Sequence, residues 1–284
     1  MNGILLVDKP AGWTSFDVVA KVRGILRQAQ KQEMLGVSHL DAGQGSQEEL
    51  AKRTNGTKSE RSYAADAAMR QEPAGVASSA GQQGTAVRKI RVGHTGTLDP
   101  LATGLLVILI GNYTKKAEEY TKMDKVYEVT MRLGMTSTTG DEEGAKTQIS
   151  AHKSTANELQ AVFEQFVGEQ MQIPPQFSAI KVDGQRAYKL ARAGKSVKLE
   201  PRMVTVSRLK VTRYGYPTVQ FTAEVSSGTY VRSLVEDIGQ KLSTGAYMTA
   251  LRRTKVGKFF SVDAIDPTKI NFEQIQENVI DKID

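Results

Sequence analysis

A chain of 284 residues with 39% apolar content can bury a core, as one large domain or two ordinary ones, and its lack of cysteine excludes disulfides, thiolate metal sites and cysteine nucleophiles. The longest apolar run, Leu105 to Ile110, is too short to span a bilayer, and the opening MNGILLVDKP lacks the basic flank and long apolar core of a secretion signal, so the cytoplasm is the expected setting. The net charge of +7 favours polyanionic partners, and it is unevenly placed: residues 30 to 87 hold six Lys/Arg against seven Asp/Glu, a net of −1, which leaves +8 for the rest.

Residues 3 to 7, GILLV, read as a short buried strand ended by the turn chemistry of Asp8-Lys9-Pro10-Ala11-Gly12-Trp13. Judged alone, Lys9 is a surface lysine. A helix follows as far as Gln28, with Ser15 as N-cap, Asp17 in the first turn, and Phe16, Val19, Val22 and Ile25/Leu26 apolar at helical spacing. From Gln30 to Val87 the character changes: Gln, Gly, Ala, Ser and mixed charges dominate, Phe, Trp and Ile are absent, and Tyr63 is the one aromatic. Such a segment has little apolar surface to set against its chain entropy and reads as a flexible insertion, with His39 solvated.

The stretch from Lys89 to Gly111, KIRVGHTGTLDPLATGLLVILIG, runs from a strand through a Gly-rich loop into a second strand. Gly93, Gly96, Pro100 and Gly104 frame a single acid, Asp99, which suits a loop whose backbone approaches a ligand while one side chain is aimed at it. The plain alternative is an Asx turn at Leu98-Asp99-Pro100. Asn112 to Met123 has helical spacing. Lys125 to Leu133 alternates as a strand, with Tyr127, Val129 and Met131 on one face, where Tyr127 taken alone is a packing residue. In the polar loop Thr136 to Gly144, the adjacent acids Asp141, Glu142 and Glu143 are expected to be solvated rather than metal-bound.

Ser154 to Phe166 reads as an amphipathic helix capped by Ser154, Thr155 or Asn157 and stopped by Gly168. Beyond it, Pro174-Pro175 forces an extended approach to the strand-like FSAIKV, Asp183-Gly184 signals a turn, and a short helix follows. Lys181, Arg186, Lys189 and Arg192 gather four cations suited to phosphate contacts. Val204 to Tyr214 and Thr218 to Ser226 are strands. Thr229 is then the expected cap of a helix ending near Leu242, with Arg232 in its first turn. An arginine there opposes the positive end of the helix dipole unless an acid or a phosphate meets it. Residues 261 to 284 complete the chain with a short strand and a helix from Asn271 to Val279.

Several of these blocks resemble, in order, the motifs of TruB-type tRNA pseudouridine synthases: LLVDKPAGWTSFDVV, GHTGTLDPLATG after Arg91, KxYxxxxxLG followed by MTSTTGDEEG, PPxxSAxKxxGxxxYxxAR, GTYxR and GAYMTALRRTKVGKFF. The resemblance implies a mixed α/β catalytic domain around a largely antiparallel sheet. It would comprise residues 1–29 and 88–260, interrupted by the 30–87 insertion and followed by a tail, 261–284, too short for the extra PUA-type RNA-binding domain of many relatives. It implies isomerisation of uridine 55 in the tRNA T-loop, with Asp99 as the catalytic aspartate, Arg232 paired to it and Tyr127 stacked on the target base. His94 would fill the space left by the flipped base, the Lys9-Pro10 turn would shape the floor of the site, and Leu251 would pack near the base. Lys181 and Arg252 would serve RNA contacts.

Such chemistry needs no metal, redox group or nucleotide, so no cofactor is expected. The expected partner is the T-arm of tRNA, with neither membrane nor guide RNA, since LATGLL after the Asp resembles the stand-alone branch; nothing points beyond a monomer. The competing class is a non-catalytic tRNA-binding protein of the same fold, which has no need of Asp99 and its two partners.

Overall fold

The computed structural model describes residues 1–34, 90–150, 152–178, 180–182, 184–195 and 197–281. Two units divide the chain, one made of residues 1–26 and 90–284 and the other of residues 27–89, of which only the last turns of a helix are described. The expected insertion therefore lies almost wholly outside the described residues, as does His39.

Strand β1 (Gly3–Lys9) is buried on both faces, because Leu5 and Val7 point to one cluster and Ile4 and Leu6 to another. Helix α1 (Ser15–Met34) sends Val18, Val19, Val22 and Leu26 inward. Two expectations are corrected at its start. The cap is Thr14, whose hydroxyl accepts from the Asp17 N–H at 3.1 Å while the Asp17 carboxylate accepts from the Thr14 N–H at 2.7 Å. Phe16 is 56% exposed rather than inward, since the buried stripe runs through residues 18, 19, 22 and 26, to one side of it. The helix also outruns its expected end, because RQAQKQEM contains good helix formers and no Gly or Pro.

After β2 (Val92–His94), β3 (Thr103–Ile110) is sealed from solvent from Leu105 to Ile110, and burying each large aliphatic side chain contributes roughly 1.5–3 kcal/mol. The single helix expected next is instead a 3₁₀ segment, Gly111–Lys116, followed by the short α2 (Ala117–Thr121). Its start is pinned elsewhere: the Asn112 N–H donates to Asn2 Oδ1 and the Tyr113 hydroxyl to the Asp281 carbonyl. Strand β4 (Lys125–Leu133) alternates as expected, and β5 (Met135–Ser137) and β6 (Lys146–Gln148) form a hairpin around the acidic loop.

Helix α3 (Ala156–Phe166) begins at a capping box of Thr155 and Glu158. Strand β7 (Gly168–Gln172) leads to a hairpin of β8 (Lys181–Val182) and β9 (Gln185–Arg186), far shorter than FSAIKV suggested, and to α4 (Ala187–Arg192). Long strands β10 (Arg202–Gly215) and β11 (Thr218–Val225) precede α5 (Val231–Lys241), β12 (Ala246–Val256), β13 (Phe259–Phe260) and α6 (Phe272–Asn278). The strand expected after residue 260 reduces to isolated bridges, Val7 with Ile265 and Ile4 with Ile280. Thr229 does not cap α5. The Gln172 side chain reaches over from β7 instead, accepting from the Tyr230 N–H at 2.8 Å and donating to its carbonyl at 3.1 Å.

The main sheet runs β1-β3-β12-β4-β11-β10-β7, with β2 paired to β3 and β13 to β12. Every pairing is antiparallel except β12 with β3, so the expected mixed α/β fold around a largely antiparallel sheet is what forms. Strand β12, late in sequence, lies between β3 and β4 and joins an early half of the sheet to the β4-β11-β10-β7 half. The crossing with β3 is close: a Cβ at Gly104, where φ is +98°, would lie 2.3 Å from the Arg253 carbonyl oxygen. The largest core cluster packs α3 and α5 against β4, β10 and β11.

Candidate active site

The β2–β3 loop presents Asp99, and two neighbours hold that loop in shape. Buried Ser15 accepts from the Leu98 N–H at 2.8 Å and donates to the Leu98 carbonyl at 3.1 Å, while the Gly12 N–H donates to the Pro100 carbonyl at 2.9 Å. Within the turn, the Ala102 N–H closes on the Asp99 carbonyl at 3.0 Å. The Asp99 side chain is thereby left to point outward, 41% exposed, and its Oδ2 meets Arg232 Nη2 at 3.1 Å. An ion pair across the fold stands where the Asx reading had a local hydrogen bond.

Arg232, only 7% exposed, is the second residue of α5. Its Nη2 also donates to the Phe177 carbonyl at 2.8 Å, and its Nη1 donates to the Thr139 carbonyl at 3.0 Å and stands 3.5 Å from Asp141 Oδ2. Two carboxylates and two carbonyls thus offset both the burial of the charge and its place at the positive end of the helix. Asp141 is buried rather than solvated, which corrects the reading of the acidic loop. It accepts from the Thr139 hydroxyl at 2.5 Å and the Glu143 N–H at 3.0 Å. No group of three or more His, Asp or Glu suited to a metal occurs among the described residues.

Sequence reasoning missed Asp141 as a site residue, although its place in the TTGDEEG block was a usable signal. It also missed Glu236, one helical turn after Arg232. A Cβ at Gly140, where φ is +73°, would come 2.7 Å from Glu236 Oε1 and 3.5 Å from Arg232 Cβ, so the acidic loop lies flat against this face of α5. Burial, with Asp237 beside it and Asp141 across from it, pushes the Glu236 carboxyl up to about 7 against the pull of Arg232.

Lys9 is fully buried, so the surface reading fails. Its Nζ donates to the carbonyls of Pro10 at 2.9 Å, Trp13 at 2.6 Å and Pro100 at 3.4 Å, tying the N-terminal turn to the Asp99 loop. Burial brings its pKa down to about 8, opposed by the charges of Asp99 and Asp17. Tyr127, 7% exposed, belongs to the same buried cluster as Leu98 and Ala102 of the loop and Val231 beside Arg232, with Leu251 packed against it. The packing reading of Tyr127 is thus met, in a cluster that includes residues of the Asp99 loop. His94 ends β2 half-buried, with Nδ1 buried and unpartnered; burial first, and then the Arg253 charge, lower its pKa and favour the neutral ring.

Two expected RNA contacts are engaged otherwise than with the Asp99–Arg232 pair. Arg252 is held in a two-pronged pair with Asp8, at 3.0 and 2.8 Å. Lys181 is exposed on the β8–β9 hairpin. Among the described residues, neither shares a hydrogen bond or ion pair with Asp99 or Arg232.

A half-exposed acid, paired with a buried arginine and bordered by a tyrosine and leucines, is framed here by a pseudouridine-synthase-like fold. That fold is shared with a chain of a Cbf5-Nop10-Gar1 complex (TM-score 0.56, 23% identity, 93% of this chain and 52% of that one) and with a chain of an H/ACA RNP bound to a substrate RNA containing 2'-deoxyuridine (TM-score 0.56, 20% identity, 98% and 56%). In sequence, residues 84–231 match the TruB family pseudouridylate synthase N-terminal domain and residues 232–282 the tRNA pseudouridylate synthase B C-terminal domain. The tRNA pseudouridine synthase B of Clostridium novyi is 34% identical over 280 residues, covering 99% of this chain and 76% of the relative. That of Pseudomonas fluorescens is 48% identical over 169 residues, covering 60% of this chain and 55% of the relative, so the match spans about half of that relative's length. The chain belongs to the TruB family of pseudouridylate synthases.

Proposed function

We propose that the protein isomerises a uridine of tRNA to pseudouridine, the target being uridine 55 in the T-loop and Asp99 the acting carboxylate. The observation that carries this reading is the pairing of a half-exposed Asp99 with a buried Arg232 at 3.1 Å. The arginine holds and aims the acid through Oδ2, and the opposite carboxylate oxygen is the one offered to the reacting nucleotide. The reaction exchanges a C1'–N1 bond for a C1'–C5 bond; C5 gives up a proton and N1 gains one, with no net oxidation. Tyr127 and Leu251 supply apolar surface for the uracil.

A uridine inside a folded loop must leave its stack to reach Asp99. His94, neutral and at the edge of the same loop, is suited to occupy the gap by stacking, because a neutral ring loses less hydration there than an imidazolium. The test is tritium release from T-arm RNA carrying 5-tritiated uridine, with mapping of the product site. Asp99→Asn is expected to abolish release while RNA binding stays within about tenfold, the loss falling on the chemical step. Turnover by that variant would remove Asp99 from its role, and intact binding without turnover by the unaltered protein would favour the non-catalytic tRNA-binding class.

A further inference from the structure

Phe16 stands out among the exposed large apolar side chains because of what surrounds it. It is 56% exposed in the first turn of α1, directly after Ser15, which clasps Leu98 beside Asp99. Seven residues on, and so on the same side of the helix, Arg23 holds its guanidinium carbon 5.9 Å from the Phe16 ring centroid. Arg23 in turn donates from Nη2 to the Val92 carbonyl at 3.0 Å.

Ser15 meets Leu98 and Arg23 meets Val92, so α1 runs antiparallel to the segment between them and His94 lies within the stretch so bracketed. Phe16 and Arg23 therefore form one edge alongside the Asp99 loop and His94. An aromatic face beside an anchored guanidinium suits a nucleotide that has left its stack: the ring takes the base and the cation its phosphate. Asp17, the nearby acid, is turned back onto the Thr14 cap at 2.7 Å.

We infer that Phe16, with Arg23, is a base-stacking platform for a second nucleotide of the substrate RNA, next to the one that enters the Asp99 site. The inference rests on the proposed action on tRNA, and it commits to single-stranded RNA as occupant on three grounds: the net charge of +7, the adjacent arginine and continuity with the catalytic loop.

The test measures binding of a T-arm hairpin to the Asp99→Asn protein and to the same protein carrying Phe16→Ala, Phe16→Trp or Phe16→Leu. Stacking predicts roughly 5- to 150-fold weaker binding for Phe16→Ala, with a melting temperature held near that of the parent because the side chain is exposed. Phe16→Trp should bind within a few-fold of the parent, and its indole emission should fall on RNA addition beyond any change shown by Trp13, the single native tryptophan. Phe16→Leu, apolar without a π-face, should resemble Phe16→Ala. With Asp99 intact, Phe16→Ala should raise KM more than it lowers kcat. Binding by Phe16→Ala within twofold of the parent, or full retention by Phe16→Leu, overturns the platform alone. Failure of the unsubstituted protein to bind the hairpin overturns both the platform and the tRNA reading.

Discussion

Arg232 is shared between two acids, and that sharing makes specific demands. Asp99 is exposed enough to meet a nucleotide, whereas Asp141 is buried and touches only protein, so Asp141 fixes the guanidinium against which Asp99 is aimed. Replacing Asp141 by Asn leaves the hydrogen-bonding shape and removes the charge. The expected outcome is a single-turnover rate lowered by roughly 10- to 100-fold with RNA affinity little changed, since small misplacements of a reacting group cost about that much; an unaltered rate would show that Asp141 does not position Arg232. Glu236 gives a prediction of a different kind. Its carboxyl is raised from 4.5 to about 7, so the folded chain holds this proton more tightly than the unfolded chain, and the resulting stabilisation is lost as pH climbs through that window. Glu236→Gln should therefore raise the melting temperature relative to the parent at pH 8 and much less at pH 5, and equal shifts at both values would contradict this.

Secondary structure was legible where periodicity is strong, as in the two-faced β1, the alternating β4 and the α3 stripe, because each position there answers to one local pattern. It was not legible where a distant residue takes over a local task. Thr229 has the chemistry of a cap, but Gln172 from β7 satisfies Tyr230 first; Ser15 has the same chemistry and is used to clasp Leu98 instead. Asp99, Tyr127 and Arg232 could be singled out by motif, while the burial of Lys9 and Asp141 could not, because both depend on loops closing over them. The clasp has a measurable worth. Ser15→Ala orphans the Leu98 N–H and carbonyl, at a cost of about 1–3 kcal/mol in urea denaturation, and should lower turnover as the Asp99 loop loosens. At the β3–β12 crossing, Gly104→Ala should cost roughly 3 kcal/mol or more in the same measurement, because the methyl has backbone in its way and a left-handed φ to adopt.

For the molecule as a whole, charge sets how RNA is gripped. The +8 outside residues 30–87 predicts that T-arm binding weakens by roughly tenfold or more between 50 and 200 mM salt, and a flat response would argue against a phosphate-based grip. The architecture sets something else, the order of events during synthesis. Asp99 stands on the early half of the sheet and Tyr127 on the other, and β12, ending at Val256, is the strand that joins the two. A ribosome must therefore deliver the chain through β12 before these two residues acquire a fixed separation, and at ordinary elongation rates that leaves the β4 edge unpaired for many seconds. Nascent chains arrested before residue 246 should accordingly be cut by protease between the two halves, while chains arrested well beyond residue 260, with β12 clear of the exit tunnel, should resist.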